Sequence, residues 1–483
     1  MKELALLWFR QDLRVSDNPA LSAALESGRS VVPVYVLDDT NAGDWKMGGA
    51  SRVWLHHSLK KLDESLAGAL LTCHGDATVI IPALVKALGV DQIFWNRCYE
   101  PWRIQRDKTL KCDLENTGVT VQTFNGSLLW EPWEIAKKDG TPYKVFTPFY
   151  RNGCLNASSP RAAASITQPL NFSKPAVKRS TGIKSITIDE LELLPDTLDW
   201  HKTIMSFWQV GEEAANQKMQ AFIGEPIQAY KARRDFPAEG YGSRLSPHLH
   251  FGEISPHQAW QYAHQAPPMP DEANRQHFLS ELGWREFSYY LLYHWPDLTT
   301  EPFNKKFRFF PWKKNKKGLD AWQRGQTGYP IVDAGMRELW QTGFMHNRVR
   351  MIVASFLVKN QLIHWHEGEQ WFWDCLLDAD LAANSASWQW VAGCGADAAP
   401  YFRIFNPVTQ SQRFDPEGEY IRRFCPELKG LPNKYLFKPW EADREILQAA
   451  NVRLGKDYPK PILDLKETRA KALLANQSLK DFQ

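Results

Sequence analysis

Residues 376–390 read LLDADLAANSASWQW, and within them Asp380, Asn384 and Trp388 recur at steps of four. On a helix that spacing stacks the three along one face. A carboxylate, an amide and an indole in register offer a planar heterocycle charge, hydrogen bonding and electrons. The same spacing also describes an ordinary helix face whose leading acid suits the helix dipole. Two more segments carry mixed sets at i, i+3 and i+4: Glu281, Trp284 and Arg285, then Asn347, Arg350 and Met351. Such sets are costly to bury without a polar ligand, although Glu281 and Arg285 also fit a surface i,i+4 pair. Asn347 offers both a donor and an acceptor, as a base edge requires. Ser243, Arg244, Leu245 and Ser246 precede Pro247, which places hydroxyls and backbone N–H groups where a helix start would hold an anion. A plain cap by Ser246 is the simpler account of that stretch. Lys305, Lys306, Arg308, Lys313, Lys314, Lys316 and Lys317 surround Trp312 and read chiefly as a solvated loop.

Positioning such groups needs a large scaffold. At 483 residues the chain exceeds the size at which a single core keeps growing, so more than one body is expected. Its 58 basic and 55 acidic residues leave a net charge of +3, so a contact with nucleic acid must come from a local patch. The seven cysteines show no metal-ligand spacing, which suits free thiols in a reducing cytoplasm. The amino terminus lacks the basic and apolar regions of a signal peptide, and the apolar runs are too short to cross a bilayer. Of the 21 tryptophans most must serve packing, with a few left for chemistry.

Short buried strands are expected at residues 4–9, 31–37, 78–81, 92–95 and 119–124, with helices at 18–26 and 50–67 between them. This alternation predicts an α/β domain with a parallel sheet, and it carries no GxGxxG fingerprint. Residues 156–185, rich in Ala, Ser, Pro and Lys, read as an exposed connector. From about residue 200 the periodicity becomes helical and aromatic residues multiply, predicting an all-α body. The expected division is 1–130 for the α/β domain, 131–200 for the connector and 201–483 for the helical domain.

Several segments carry a specific resemblance: WFRQDLRVSDNPAL (8–21), RLSPHLHFGEIS (244–255), ELGWREF (281–287), TGYPIVDAGMRELWQTGFMHNRVRM (327–351), LLDADLAANSASWQWVAG (376–393) and DAAPYFRIFNP (397–407). Together, and in this order, they resemble the photolyase and cryptochrome family, most nearly the class I photolyases of cyclobutane pyrimidine dimers. The resemblance implies an amino-terminal antenna domain, Rossmann-like in its sheet, and a helical domain that holds FAD. It implies FAD contacts at Tyr230, Gly242, Ser243, Arg244, Leu245, Ser246, Phe278, Arg285, Arg350, Asp378, Asp380 and Asn384. Relatives often have threonine at Gly242 and tryptophan at Phe278 and Phe344. Asn384 would face flavin N5, where an amide tunes the reduced forms without adding negative charge. Trp388, Trp365 and Trp312 match the family's electron-transfer chain.

Glu281, Asn347 and Met351 match residues that meet the damaged base, Trp284 and Trp390 the walls of the lesion pocket, and Arg234, Arg348, Arg403 and Gln410 contacts to DNA. Phosphate neutralisation would supply most non-specific affinity. The pair His346-Asn347 favours cyclobutane dimers over (6-4) photoproducts, whose photolyases typically carry histidine at the second position. The activity implied is light-driven repair: the lesion is flipped from duplex or single-stranded DNA, accepts an electron from excited reduced FAD, and splits. A cryptochrome photoreceptor, a (6-4) photolyase or a dark flavin oxidoreductase are the alternatives, and a monomer is the family expectation. The antenna chromophore stays open between a deazaflavin, methenyltetrahydrofolate and none, because Tyr99-Glu100-Pro101-Trp102-Arg103 puts a cation where folate-binding members offer a contact.

Overall fold

The computed structural model describes residues 3–175, 184–269, 271–398 and 402–481. It groups the chain into two compact units: Met1–Lys202 with Trp208–Gln228 and Ser243–Pro296, and Thr203–Phe207 with Ala229–Gly242 and Asp297–Gln483. Compactness therefore does not follow the expected limits at 130 and 200, because part of the helical chain belongs to the first unit.

In the first unit, β1 (Leu4–Phe9), β2 (Ser30–Leu37), β3 (Leu71–His74), β4 (Gln92–Asn96) and β5 (Thr120–Phe124) form a parallel sheet in the order β3-β2-β1-β4-β5. The runs LALLWF and SVVPVYVL are buried almost throughout, as central parallel strands covered on both faces must be. Helices α1 (Pro19–Glu26), α2 (Gly49–Ser65), α3 (Ala77–Leu88) and α4 (Pro101–Asn116) connect or flank the strands. Asn18 caps α1 by accepting from Leu21 N, and Pro19 opens it, both standard start signals.

Residues 78–81, expected as a strand, lie inside α3, and the third strand is instead Leu71–His74. The β-branched run Thr78, Val79, Ile80, Ile81 is overruled by Asp76, whose carboxylate accepts from Thr78 N at 2.8 Å. The buried set Ala77, Ile81, Leu84 and Val85 then follows a helical period. Along the connector, Val31 N donates to Asn171 O and Ser173 N to Val31 O, while Ile186 N donates to Thr72 O. These bonds occupy backbone groups at the β2 and β3 side of the sheet. Connector residues 176–183 lie outside the described residues.

The same unit holds the long helix α5 (Ala273–His294). Its Gly283 admits the Tyr150 ring, which would lie 2.5 Å from a Cβ at that position.

The second unit is helical, as expected from residue 200 onward. Its core includes Trp322, Trp365, Trp388, Phe356, Tyr420 and Tyr458, and its main helices are α6 (Pro330–Thr342), α7 (Asn347–Ser355), α8 (Trp365–Cys375), α9 (Leu381–Ala392) and α10 (Pro407–Phe414). Fully buried Asp333 ties the start of α6, accepting from Thr327 N and Oγ1, Gly328 N and Tyr458 Oη. Among the described residues no helix is long and apolar enough to cross a membrane.

The capping account of α3 is testable: Asp76→Ala should destabilise the protein by about 1 kcal/mol, measured as a lowered urea midpoint at unchanged cooperativity.

Candidate functional site

The Asp380, Asn384 and Trp388 stripe lies at the start and along one side of α9. Asp380 is the N-cap, accepting from Ala383 N at 2.8 Å, so the bland role of this acid is real and coexists with any other. Asn384 is 8% exposed, and its Nδ2 donates to the Glu369 carbonyl at 3.1 Å. A carbonyl only accepts, so the amide nitrogen must point there and Oδ1 is left as the acceptor end. Trp388 beds on α8 so closely that a Cβ on Gly368 would come within 2.1 Å of its Cη2. Trp365, fully buried at the first turn of α8, meets the rings of His364 and His366, with centroids at 5.4 and 4.0 Å. His364 in turn meets half-buried Trp312 at 5.1 Å. Trp388 also touches Trp322, at 6.1 Å, a neighbour that no spacing in the sequence indicated.

On α7, Asn347 is exposed and its amide has no hydrogen bond among the described residues. The helix start is held by His346, which accepts from Arg348 N at Nδ1 and donates from Nε2 to Arg234 O at 2.8 Å. Burial pushes His346 down to about 4, in keeping with that neutral tautomer. Arg350 binds both Asp378 oxygens through Nη2, at 3.0 and 2.8 Å, and donates from Nε to Met345 O. Its Cζ lies 5.3 Å from the Phe344 ring. Half-buried Met351 is one turn along, 3.9 Å from Arg348 Nη1.

Arg348 is committed to Asp235 at 2.5 Å and stacks on Phe414, so its charge is partly neutralised. Arg403 is exposed, 5.3 Å from the ring of half-buried Trp390. Gln410 lies on α10 with a buried Oε1 that has no partner among the described residues. Arg234 lies over Tyr230 at 5.2 Å, and Gly242 has open space where a Cβ would stand. Of the DAAPYFRIFNP segment, residues 399–401 lie outside the described residues.

In the first unit, Glu281, Trp284 and Arg285 share half-buried positions on α5. His277 Nε2 is 3.8 Å from Glu281 Oε1. Trp284 stacks face to face on Phe146, centroids 3.7 Å apart at 11°, which leaves one indole face for any ligand. Arg285 donates to Ser127 O at 2.8 Å and pairs with Glu286. Phe278 packs on Phe222 at 4.8 Å.

The 243–246 stretch corrects the cap reading. The helix that follows, Ser246–Phe251, has six residues; Leu245 is its N-cap, no side chain caps it, and Ser246 is already helical. The helix is too short for its dipole to carry an anion argument. What the stretch does present is Arg244, exposed, at φ +53°, with Cζ 5.2 Å from the Trp208 ring, and the hydroxyls of Ser243 and Ser246. At the antenna positions, Arg103 is buried, 3.5 Å from Glu100 and stacked on Trp102.

Sequence reasoning missed Glu369, Phe146 and Lys359, whose neighbours come from distant segments. Glu369 is fully buried, takes a hydrogen bond from Ser385 Oγ, and has His366 Nδ1 3.3 Å from its other oxygen. Burial pushes its carboxyl group up to about 8, so the acid beside Asn384 is neutral at pH 7.

Comparison with known proteins places these features in context. The family model described as DNA photolyase matches residues 5–168, and that of the FAD binding domain of DNA photolyase matches 278–478. A deoxyribodipyrimidine photo-lyase of Agrobacterium fabrum is 47% identical over 98% of both chains. Cryptochrome-1 of Arabidopsis thaliana is 37% identical over 97% of this chain and 69% of its own. The crystal structure of a bacterial class III photolyase from Agrobacterium tumefaciens superposes with a TM-score of 0.94 at 46% identity, covering 100% of this chain and 98% of that one. These relatives do not support the class I assignment expected above.

Glu369 has a pH signature. Its carboxyl group titrates near 4.5 when unfolded and near 8 when folded. Between those values the unfolded chain has lost a proton that the native state keeps, so this group lowers stability as pH rises from 4.5 to 8, and is without effect below. Glu369→Gln should therefore flatten the decline of Tm between pH 5 and pH 8, measured by thermal scans of both proteins.

Proposed function

The chain belongs to the photolyase and cryptochrome family, and from that premise we propose that it repairs cyclobutane pyrimidine dimers in DNA under blue light. The observation that carries this reading is the amide of Asn384, whose nitrogen donates to a backbone carbonyl while Oδ1 is left as an acceptor. Such an acceptor fits a flavin N–H and cannot add negative charge, and the neutral acid beside it adds none either. When bound and reduced, FAD supplies on excitation the electron that opens the cyclobutane ring and recovers it afterwards, without net redox change.

The protein's own residues then do the rest. The Arg350–Asp378 pair and Asn384 orient the isoalloxazine, while Tyr230, Ser243, Arg244 and Ser246 offer hydroxyls and a cation to the diphosphate. Gly242, Leu245, Phe278, Arg285 and Asp380 complete the cofactor contacts by resemblance. Asn347, without a hydrogen bond to its amide among the described residues, reads the edge of an unstacked base, and Glu281 hydrogen-bonds or protonates a pyrimidine carbonyl. Met351 packs beside the lesion. Trp284, held flat by Phe146, and Trp390, paired with Arg403, each offer a face to a flipped pyrimidine.

Arg234, Arg403 and Gln410 contact the DNA backbone. Arg348, already paired with Asp235, contributes less than its sequence position implied. Trp388, Trp365 and Trp312 carry oxidising equivalents away from the flavin by hopping. A second reading, a cryptochrome photoreceptor, is supported by the 37% identity to a plant cryptochrome. The antenna is a deazaflavin, methenyltetrahydrofolate or none, and the absorbance spectrum of the native protein distinguishes the three.

Illuminating the reduced, FAD-loaded protein with dimer-containing DNA should restore thymines, counted by chromatography. Glu281→Ala and Asn347→Ala should each lower repair by about tenfold or more, the scale of one lost hydrogen bond in a desolvated site. Light-driven flavin reduction without any repair would favour the cryptochrome reading. Trp388→Phe should slow the photoreduction of oxidised FAD by at least about tenfold, followed as bleaching of the flavin band.

A further inference from the structure

Lys359 lies on the helical turn Phe356–Asn360 that follows α7, and it is 1% exposed. Burial of an ammonium group is expensive, and among the described residues no carboxylate pairs with this one. Its Nζ instead donates to Arg403 O at 3.2 Å and sits 3.3 Å from the centroid of the Phe402 ring. Both partners belong to the chain just beyond α9. Gly393, which ends α9 at φ +94°, makes room for them: a Cβ there would stand 3.1 Å from Phe402 Cδ2 and 3.4 Å from Lys359 Nζ. Arg403 continues the series, with its guanidinium 5.3 Å from Trp390 on the last turn of α9.

We propose that Lys359 is a positioning residue for lesion recognition, its buried ammonium clamping Phe402 and Arg403 so that the Arg403 side chain is held over Trp390. The inference rests on the lesion-binding role proposed for Trp390 and Arg403. A neutral side chain of equal length would fill the same space at lower desolvation cost. What the charge adds is direction, because an N–H aimed at one carbonyl and a cation centred on one ring define where the backbone of residues 402 and 403 runs. Arg403 then reaches Trp390 from a fixed origin, and the indole face is presented with little freedom left to lose on binding. Burial lowers Lys359 to about 7, so the ammonium form that makes these contacts is fully held only below pH 7, where the test is run.

The test compares Lys359→Met and Lys359→Arg with the wild type in the FAD-loaded protein, by titrating a fluorescent duplex with and without one thymine dimer. Lys359→Met should keep its FAD content and lose about tenfold in affinity for the dimer, the scale of one desolvated cation–π contact, with a clearly smaller loss on undamaged DNA through the backbone contact of Arg403. Lys359→Arg should recover most of the loss. Phe402→Leu, which removes the ring and keeps the lysine, should mimic the methionine variant even if that variant folds poorly. Dimer preference retained in both Lys359→Met and Phe402→Leu overturns the inference alone. Equal losses on damaged and undamaged DNA, unrescued by arginine, also overturn it, by reducing Lys359 to a structural role. A wild type that does not distinguish the two duplexes overturns the lesion reading and this inference with it.

Discussion

The close crossing of α8 and α9 at Gly368 governs what the second unit presents. Only a residue without a side chain leaves room for the Trp388 indole, since a Cβ would lie 2.1 Å from its Cη2 and 2.4 Å from Cζ3. The next residue on α8 is Glu369, so the same crossing brings its carbonyl to Asn384 and its carboxyl group to Ser385. One contact point thereby sets the rotation of α9 about its axis. With that rotation set, the amide nitrogen of Asn384 is bonded to α8, Trp388 is buried towards α8, and Trp390 emerges partly exposed two residues later. A helix presents different groups for every 100° of turn, so a looser crossing would scatter all of these.

Around this crossing the unit keeps its buried titratable groups neutral or tightly held. His346 is neutral, with each ring nitrogen assigned by its partner. Glu369 keeps its proton to about pH 8. Arg350 and Asp378 cancel each other. This arrangement suits a site meant to hold a cofactor whose charge changes, since stray fixed charges in a low dielectric would bias its redox forms strongly. Lys359 is the departure, an amine that burial brings to about 7, set against a carbonyl and a ring where the chain leaves α9.

The strands were legible because parallel strands buried on both faces must be continuous apolar runs, and LALLWF and SVVPVYVL are such runs. Residues 78–81 misled for a related reason. A β-branched tetrapeptide has strand propensity, and a single capping carboxylate at Asp76, together with a buried helical stripe, outweighs it. The polar sets on α5, α7 and α9 were visible from their period alone, and the resemblance gave them roles. Their partners were not visible: Phe146 under Trp284 is 138 positions away, and Glu369 and Lys359 lie in segments whose pattern reads as plain helix. Nor could spacing reveal that Arg285 reaches Ser127 and Glu286, because a helix surface offers each residue several neighbours.

By itself the sequence determined the class of each body and the family, since hydrophobic period and ordered motifs are local properties of the chain. It also determined which residue types stand ready for a flavin and a damaged base. Only the tertiary structure decided which end of the Asn384 amide is available, which acids are neutral, which arginines are spoken for, and how each tryptophan is backed. Those outcomes depend on burial and on contacts between residues far apart in the chain, and both are set by packing rather than by any stretch of sequence.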